Sequence, residues 1–220
     1  MNLRTADGLT LEAEWAEPAD GPAFAVAVLC HPHPQYGGTM RSLVVSALFE
    51  ALPHHGIACL RFNFRGVERS EGEHTEGRSE PLDVAAALDA FSGSERAHLP
   101  LALVGWSFGA DMALTTHDPR PAGWVGIAPP LRFRPASAYE PVAADARPKL
   151  LVLAANDEFR APADIEAETR EWSATRTETI AGASHFFVGR TDRVVALVAG
   201  FVEALAGAPG AESGTRAAPA

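Results

Sequence analysis

Nucleophilic acyl transfer needs a serine, a base and a carboxylate to orient the base, and this 220-residue chain offers all three in short, well-framed stretches. "GWSFG" (105–109) matches G-x-S-x-G. The string alone is weak, but the apolar run "LALV" leads into it and "FGADMALTTH" reads as a helix leading out. A sharp strand-to-helix turn needs small neighbours, which Gly105 and Gly109 supply, and it leaves the Ser107 hydroxyl above the carboxyl end of its strand. A hydroxyl is a poor nucleophile until a base takes its proton. "LLVLAANDEF" ends an apolar run at Asp157, and "IAGASHFF" sets His185 in a loop after the next short strand. In that order Ser107 would attack, His185 would accept the proton and return it to the leaving group, and Asp157 would fix the imidazole tautomer. Structural readings compete at each position. Ser107 could sit in an ordinary tight turn, Asp157 could cap a helix or face solvent, with Glu158 its rival as the acid, and His185 could pack on an aromatic patch.

"LCHPHPQYGGTM" (29–40) follows another apolar run and enters a helix. That is the usual place for the second amide of an oxyanion hole, beside the amide after the nucleophile. Phe108 N–H is the first donor. Pro32 and Pro34 have no N–H, which leaves His33 and Gln35, and His33 is the expected donor with Gln35 beside the substrate. His31 would brace the loop. His31 and His33 also read as half a metal site, but a metal needs further ligands at suitable spacing and the segment holds no carboxylate. A site without metal is expected.

The elements that must carry these residues are legible as apolar patterning. "NLRTADGLTLEAEW" alternates around Asp7-Gly8 and predicts a hairpin. Continuous apolar runs at 24–30, 56–64, 99–106, 123–128 and 149–155, with a shorter one at 176–181, predict buried strands. Helices are expected over 43–52, where Leu43, Val44, Ala47, Leu48, Ala51 and Leu52 share a face, and from a Ser79 cap with Pro81 in the first turn. Further helices are expected over 108–117, 162–172 and from Val194 to Leu205. Strands alternating with helices predict an α/β fold, a mostly parallel eight-stranded sheet with helices on both faces.

Residues 1–206 are expected to form a single domain with a full core. From 207 the chain turns small and polar, "GAPGAESGTRAAPA", which reads as a disordered tail over 207–220. The formal net charge is −10 and basic residues do not cluster, which argues against nucleic acid or an anionic membrane surface as partner. No run is long enough to span a membrane and the start lacks a secretion pattern, so the expected place is the cytoplasm. Cys30 and Cys59 sit in apolar runs and read as buried thiols, although neighbouring strands leave a disulfide open.

In these motifs the chain resembles the α/β-hydrolase superfamily, in particular small bacterial serine esterases related to dienelactone hydrolases. The resemblance spans nearly all of residues 3–206. "HPHPQYGG" is similar to a loop that other members write His-Gly-x-x, and "RFNFRGVERSEG" (61–72) to their Asp-x-Arg-Gly-x-Gly-x-Ser loop. "GWSFG", "NDEF" and "GASHFF" correspond to elbow, acid and base. Departures exist. Ser107 stands where dienelactone hydrolases have cysteine, Asn63 where many relatives have Asp, and Pro162 follows the acid one position late. The roughly 20 residues between the strands at 123–128 and 149–155 are too few for the helical cap that deep-pocketed relatives insert there. The resemblance implies hydrolysis of a small carboxylic ester through an acyl-enzyme, with no cofactor. A thioesterase, a lactonase or a noncatalytic binding protein on the same fold are the alternatives. The expected pocket is shallow, lined by residues 129–140, Trp106, Phe186 and Phe187. Oligomeric state is left open.

Overall fold

The computed structural model describes residues 1–207. Its centre is an eight-stranded sheet, in the spatial order β1 (Asn2–Arg4), β2 (Thr10–Ala16), β4 (Ile57–Phe62), β3 (Ala25–Cys30), β5 (Leu101–Trp106), β6 (Pro121–Ile127), β7 (Lys149–Ala154), β8 (Thr175–Ile180). β2 runs antiparallel to β1 and β4, and the other neighbours are parallel. β3, β5 and β7 are buried at every residue, as unbroken apolar runs require when both faces are covered. α1 (Leu43–Ala51) and α6 (Thr191–Leu205) cover one face through Val44, Leu48, Val198 and Val202. The other face is covered by α2 (Glu80–Ser92), α3 (Phe108–Leu114), α4 (Ala136–Ala144) and α5 (Pro162–Glu168), which contribute Val84, Met112, Val142 and Ile165.

The chain leaves β3 toward β4 on one side and later places β5 on the other. A crevice therefore opens above the carboxyl ends of β3 and β5, the usual ligand position in such sheets. The loops after these two strands carry His33 and Ser107.

Several local expectations need correction. α3 ends at Leu114 and α5 at Glu168, short of 117 and 172. Residues 136–144 form the helix α4, Pro141 included, within a segment too short to make a cap. Ser79 precedes α2, but its hydroxyl makes no capping bond. The Glu80 carboxylate instead turns back to tie the preceding loop to the helix start, accepting the N–H groups of Thr75 (2.6 Å) and Gly77 (2.9 Å). Cys30 and Cys59 are free. Cys59 is in register with Ala27, three residues before Cys30, so the two side chains lie on opposite faces of the sheet and cannot pair. Among the described residues no helix is long and apolar enough to cross a membrane. The expected tail lies, past Gly207, outside the described residues.

Candidate active site

Ser107 sits between β5 and α3 with φ 54° and ψ −119°, a conformation that costs a non-glycine residue about 1–3 kcal/mol. Its surroundings hold it there. The Ser107 N–H donates to Ile127 O (2.8 Å), and its carbonyl accepts the N–H of Ala110 (2.8 Å). The turn closes because Gly105 and Gly109 lack side chains: a Cβ on Gly105 would lie 2.1 Å from Gly109 O, and one on Gly109 2.3 Å from Cys30 O. The second contact also presses the start of α3 against the loop after β3. Ser107 is only 9% exposed, and that exposure faces a cleft.

At the cleft floor the Ser107 hydroxyl donates to Nε2 of His185 (2.9 Å), and Nδ1–H of His185 donates to Oδ2 of Asp157 (2.8 Å). The Asp157 carboxylate also accepts the N–H groups of Phe159 (2.9 Å) and Arg160 (3.2 Å). Burial alone would raise its pKa by disfavouring the charged carboxylate. The bond from His185 and these two amides outweigh burial and hold it below the usual carboxylate value. Glu158, the rival acid, accepts the main-chain N–H of His185 (3.0 Å) and leaves the ring alone. Trp106 Nε1–H donates to the His185 carbonyl (3.2 Å). His185 is thus held at its N–H, its carbonyl and its ring, with Phe159 edge-on at 4.6 Å.

In the loop after β3, Nδ1–H of His31 donates to Pro32 O (2.6 Å) and Nε2 accepts the N–H of Phe64 (3.0 Å). Both ring nitrogens are occupied by main chain, which leaves no lone pair for a metal. Complete burial holds this imidazole down to about 3. Gly38 packs against the same loop, where a Cβ would meet Pro32 O at 2.1 Å. The N–H groups of His33 and Phe108 have no partner among the described residues; His33 lines the cleft, and Phe108 directly follows Ser107 with its ring 5.1 Å from that of His33. Gln35 is corrected: it is exposed, lies off the cleft wall, and gives its N–H to Nδ1 of His33 (3.2 Å).

The cleft is small, about 230 Å³. Trp106 and the half-exposed Phe186 line it as expected. Phe187 does not. A left-handed turn (φ 52°) sends its ring into the core beside Val194 and Val198, where it is fully buried. From residues 129–140 the wall takes Pro130, Arg132 and Phe133, while the start of α4 stays behind it. Tyr36, Leu43 and Phe159 also line the cleft. The sequence signal for Tyr36 was its place in "HPHPQYGG"; Leu43 was read as core, yet it is 47% exposed.

Residues 21–177 match the family described as serine aminopeptidase, S33. The chain belongs to these α/β-hydrolases. A serine α/β-hydrolase homologue from Coxiella burnetii superposes with a TM-score of 0.81 at 30% identity, over 90% of this chain and 94% of that one. XC6422 of Xanthomonas campestris, described as an α/β serine hydrolase without lid, gives 0.74 at 27% identity, over 93% and 91%. An uncharacterized Rickettsia prowazekii protein, RP471, is 30% identical across 83% of this chain and 79% of its own length. This α/β-hydrolase likewise has no cap over its cleft, and its eight-stranded sheet is the fold expected from the sequence.

Proposed function

We propose that this hydrolase cleaves small carboxylic esters through an acyl-enzyme, with Ser107 as nucleophile, His185 as general base and acid, and Asp157 as the orienting carboxylate. The continuous relay from the Ser107 hydroxyl through His185 to Asp157 carries the reading. His185 Nε2 takes the hydroxyl proton as Oγ attacks the carbonyl carbon, and the resulting imidazolium is stabilised by Asp157. The N–H groups of Phe108 and His33 would receive the oxyanion. His185 then protonates the departing alcohol, and water repeats the sequence on the acyl group.

An ester is favoured over a peptide with a free amino terminus by the charge of the wall. Among the described residues no Asp or Glu lines the cleft to receive an ammonium group, and the one fully charged side chain there is Arg132. A cleft of about 230 Å³ falls below the roughly 300–1,000 Å³ of sites for drug-sized ligands, which favours small substrates. Thioesters and lactones suit the same machinery, and a panel of leaving groups separates them. The test is fluorophosphonate labelling with peptide mapping, together with p-nitrophenyl acetate turnover. Label on Ser107 and loss of turnover in Ser107→Ala are expected; turnover that survives the substitution overturns the proposal.

A further inference from the structure

Building on the esterase reading, we infer that the substrate carries a carboxylate on a short apolar or aromatic spacer, and that Arg132 at the cleft mouth receives it. Arg132 is exposed on the cleft wall and, among the described residues, has no ion pair and no side-chain hydrogen bond. Its neighbours differ. Arg134 is tied to Gly77 O (2.6 Å), Arg160 to Pro130 O (2.5 Å) and to Glu168, and Arg147 to Asp145 (2.5 Å). In a chain of net charge −10, an unspent guanidinium beside the candidate nucleophile is unusual.

Its main chain is fixed. Buried Asp111, one helical turn beyond Ser107, accepts the N–H groups of Leu131 (2.9 Å), Arg132 (2.9 Å) and Phe133 (3.0 Å). The guanidinium carbon lies 5.3 Å from the centroid of the Phe133 ring. That ring is in turn 4.8 Å from His33 and 5.2 Å from Phe108, the two residues whose amides would hold the oxyanion. One aromatic ring therefore separates the cation from the reacting end of the cleft, the span of a spacer of a few carbons. Glu76, exposed and near His33, makes no ion pair with Arg132 among the described residues, and the other carboxylates around the site are engaged elsewhere. Asp157 and Glu158 serve His185, while Asp111 and Glu80 are buried and accept main-chain bonds. One guanidinium offsets one negative charge and matches a carboxylate in a two-point geometry. A phosphate dianion would leave uncompensated charge in an acidic protein.

The test uses two matched ester pairs on the full-length protein. 4-Nitrophenyl hemiglutarate against 4-nitrophenyl pentanoate places the charge on the acyl side, and 3-acetoxybenzoate against 3-acetoxytoluene places it on the alcohol side. In one pair the charged ester should be preferred in kcat/KM by about tenfold, mainly through KM. That pair identifies the side of the scissile bond that Arg132 serves. The preference should weaken with added salt, collapse in Arg132→Gln, persist in part in Arg132→Lys and invert in Arg132→Glu. Turnover without preference in either pair, or a preference that survives Arg132→Gln, overturns the inference and leaves the esterase reading intact. Where Arg132→Gln fails to fold, the wild type decides: a preference indifferent to salt overturns the inference. Absence of turnover on all four esters, with no fluorophosphonate label on Ser107, overturns both.

Discussion

Replacing Asp157 by Asn changes one atom of the relay and keeps its shape. The side-chain oxygen can still accept from Phe159 and Arg160, so the loop after β7 should hold its form. The amide NH2, however, now meets His185 Nδ1 across 2.8 Å and forces that nitrogen to become the acceptor. The ring proton moves to Nε2, which faces the Ser107 hydroxyl at 2.9 Å and has no lone pair left to receive its proton. In a hydrolase working by this relay, the wrong tautomer costs on the order of 10⁴ in kcat, equivalent to about 5.5 kcal/mol of barrier. Glu158→Gln provides the contrast. Its carboxylate meets only the main-chain N–H of His185, and a Gln oxygen can accept the same bond, so a loss of less than about tenfold is expected. Steady-state kcat on p-nitrophenyl acetate for both variants, with thermal unfolding as a check on the fold, separates the two carboxylates. Comparable losses in the pair, or the larger loss at Glu158, would refute the assignment.

Further outcomes follow from the same contacts. His31 is held down to about 3, whereas an unfolded histidine titrates at about 6.5. The unfolded chain therefore binds a proton that the folded one refuses, and the stability His31 contributes is complete above that range and lost on acidification. About 2 kcal/mol should be gone by pH 5, and urea unfolding at neutral pH and at pH 5 should show that much less acid sensitivity in His31→Gln. Gly105→Ala should abolish soluble, folded protein, because its Cβ would sit 2.1 Å from Gly109 O with backbone on both sides; a melting temperature near wild type would contradict the close packing of the turn. Asp111→Asn leaves at least one of the three amides of residues 131–133 facing an NH2 group, at about 1–3 kcal/mol for each unmet donor. Denaturant unfolding should show that loss, accompanied by a weaker preference for charged esters.

The sheet was legible because its central strands are uninterrupted apolar runs, and the tight strand-to-helix turn at Ser107 because Gly105 and Gly109 frame a serine between a strand and a helix. The relay followed from the order of Ser107, Asp157 and His185 after successive strand ends. The walls of the cleft were less readable. Phe186 and Phe187 are adjacent in a loop with no periodicity, and only a left-handed turn decides which one faces solvent. Leu43 looked like core because it stands in phase with Val44 and Leu48, yet it begins its helix at the cleft rim. Gln35 was assigned by proximity in sequence to His33, although the bond from its own N–H to the His33 ring turns it away. Arg132 gave no signal at all. The role inferred for it rests on the lack of ion-pair and hydrogen-bond partners among the described residues, a property of tertiary neighbours that residue order does not record.

Asp111 fastens the wall at 131–133 to the helix that begins at Ser107, so the two cannot drift apart as separate bodies. If substrates bind there, that wall should act as a fixed edge, and adjustment to a larger guest should fall to the exposed side chains opposite, Tyr36, Phe159 and Phe186. New substrates would then be acquired by exchanging side chains at 132 and 133 upon an unmoving backbone, so the range of tolerated guests should shift by substitution.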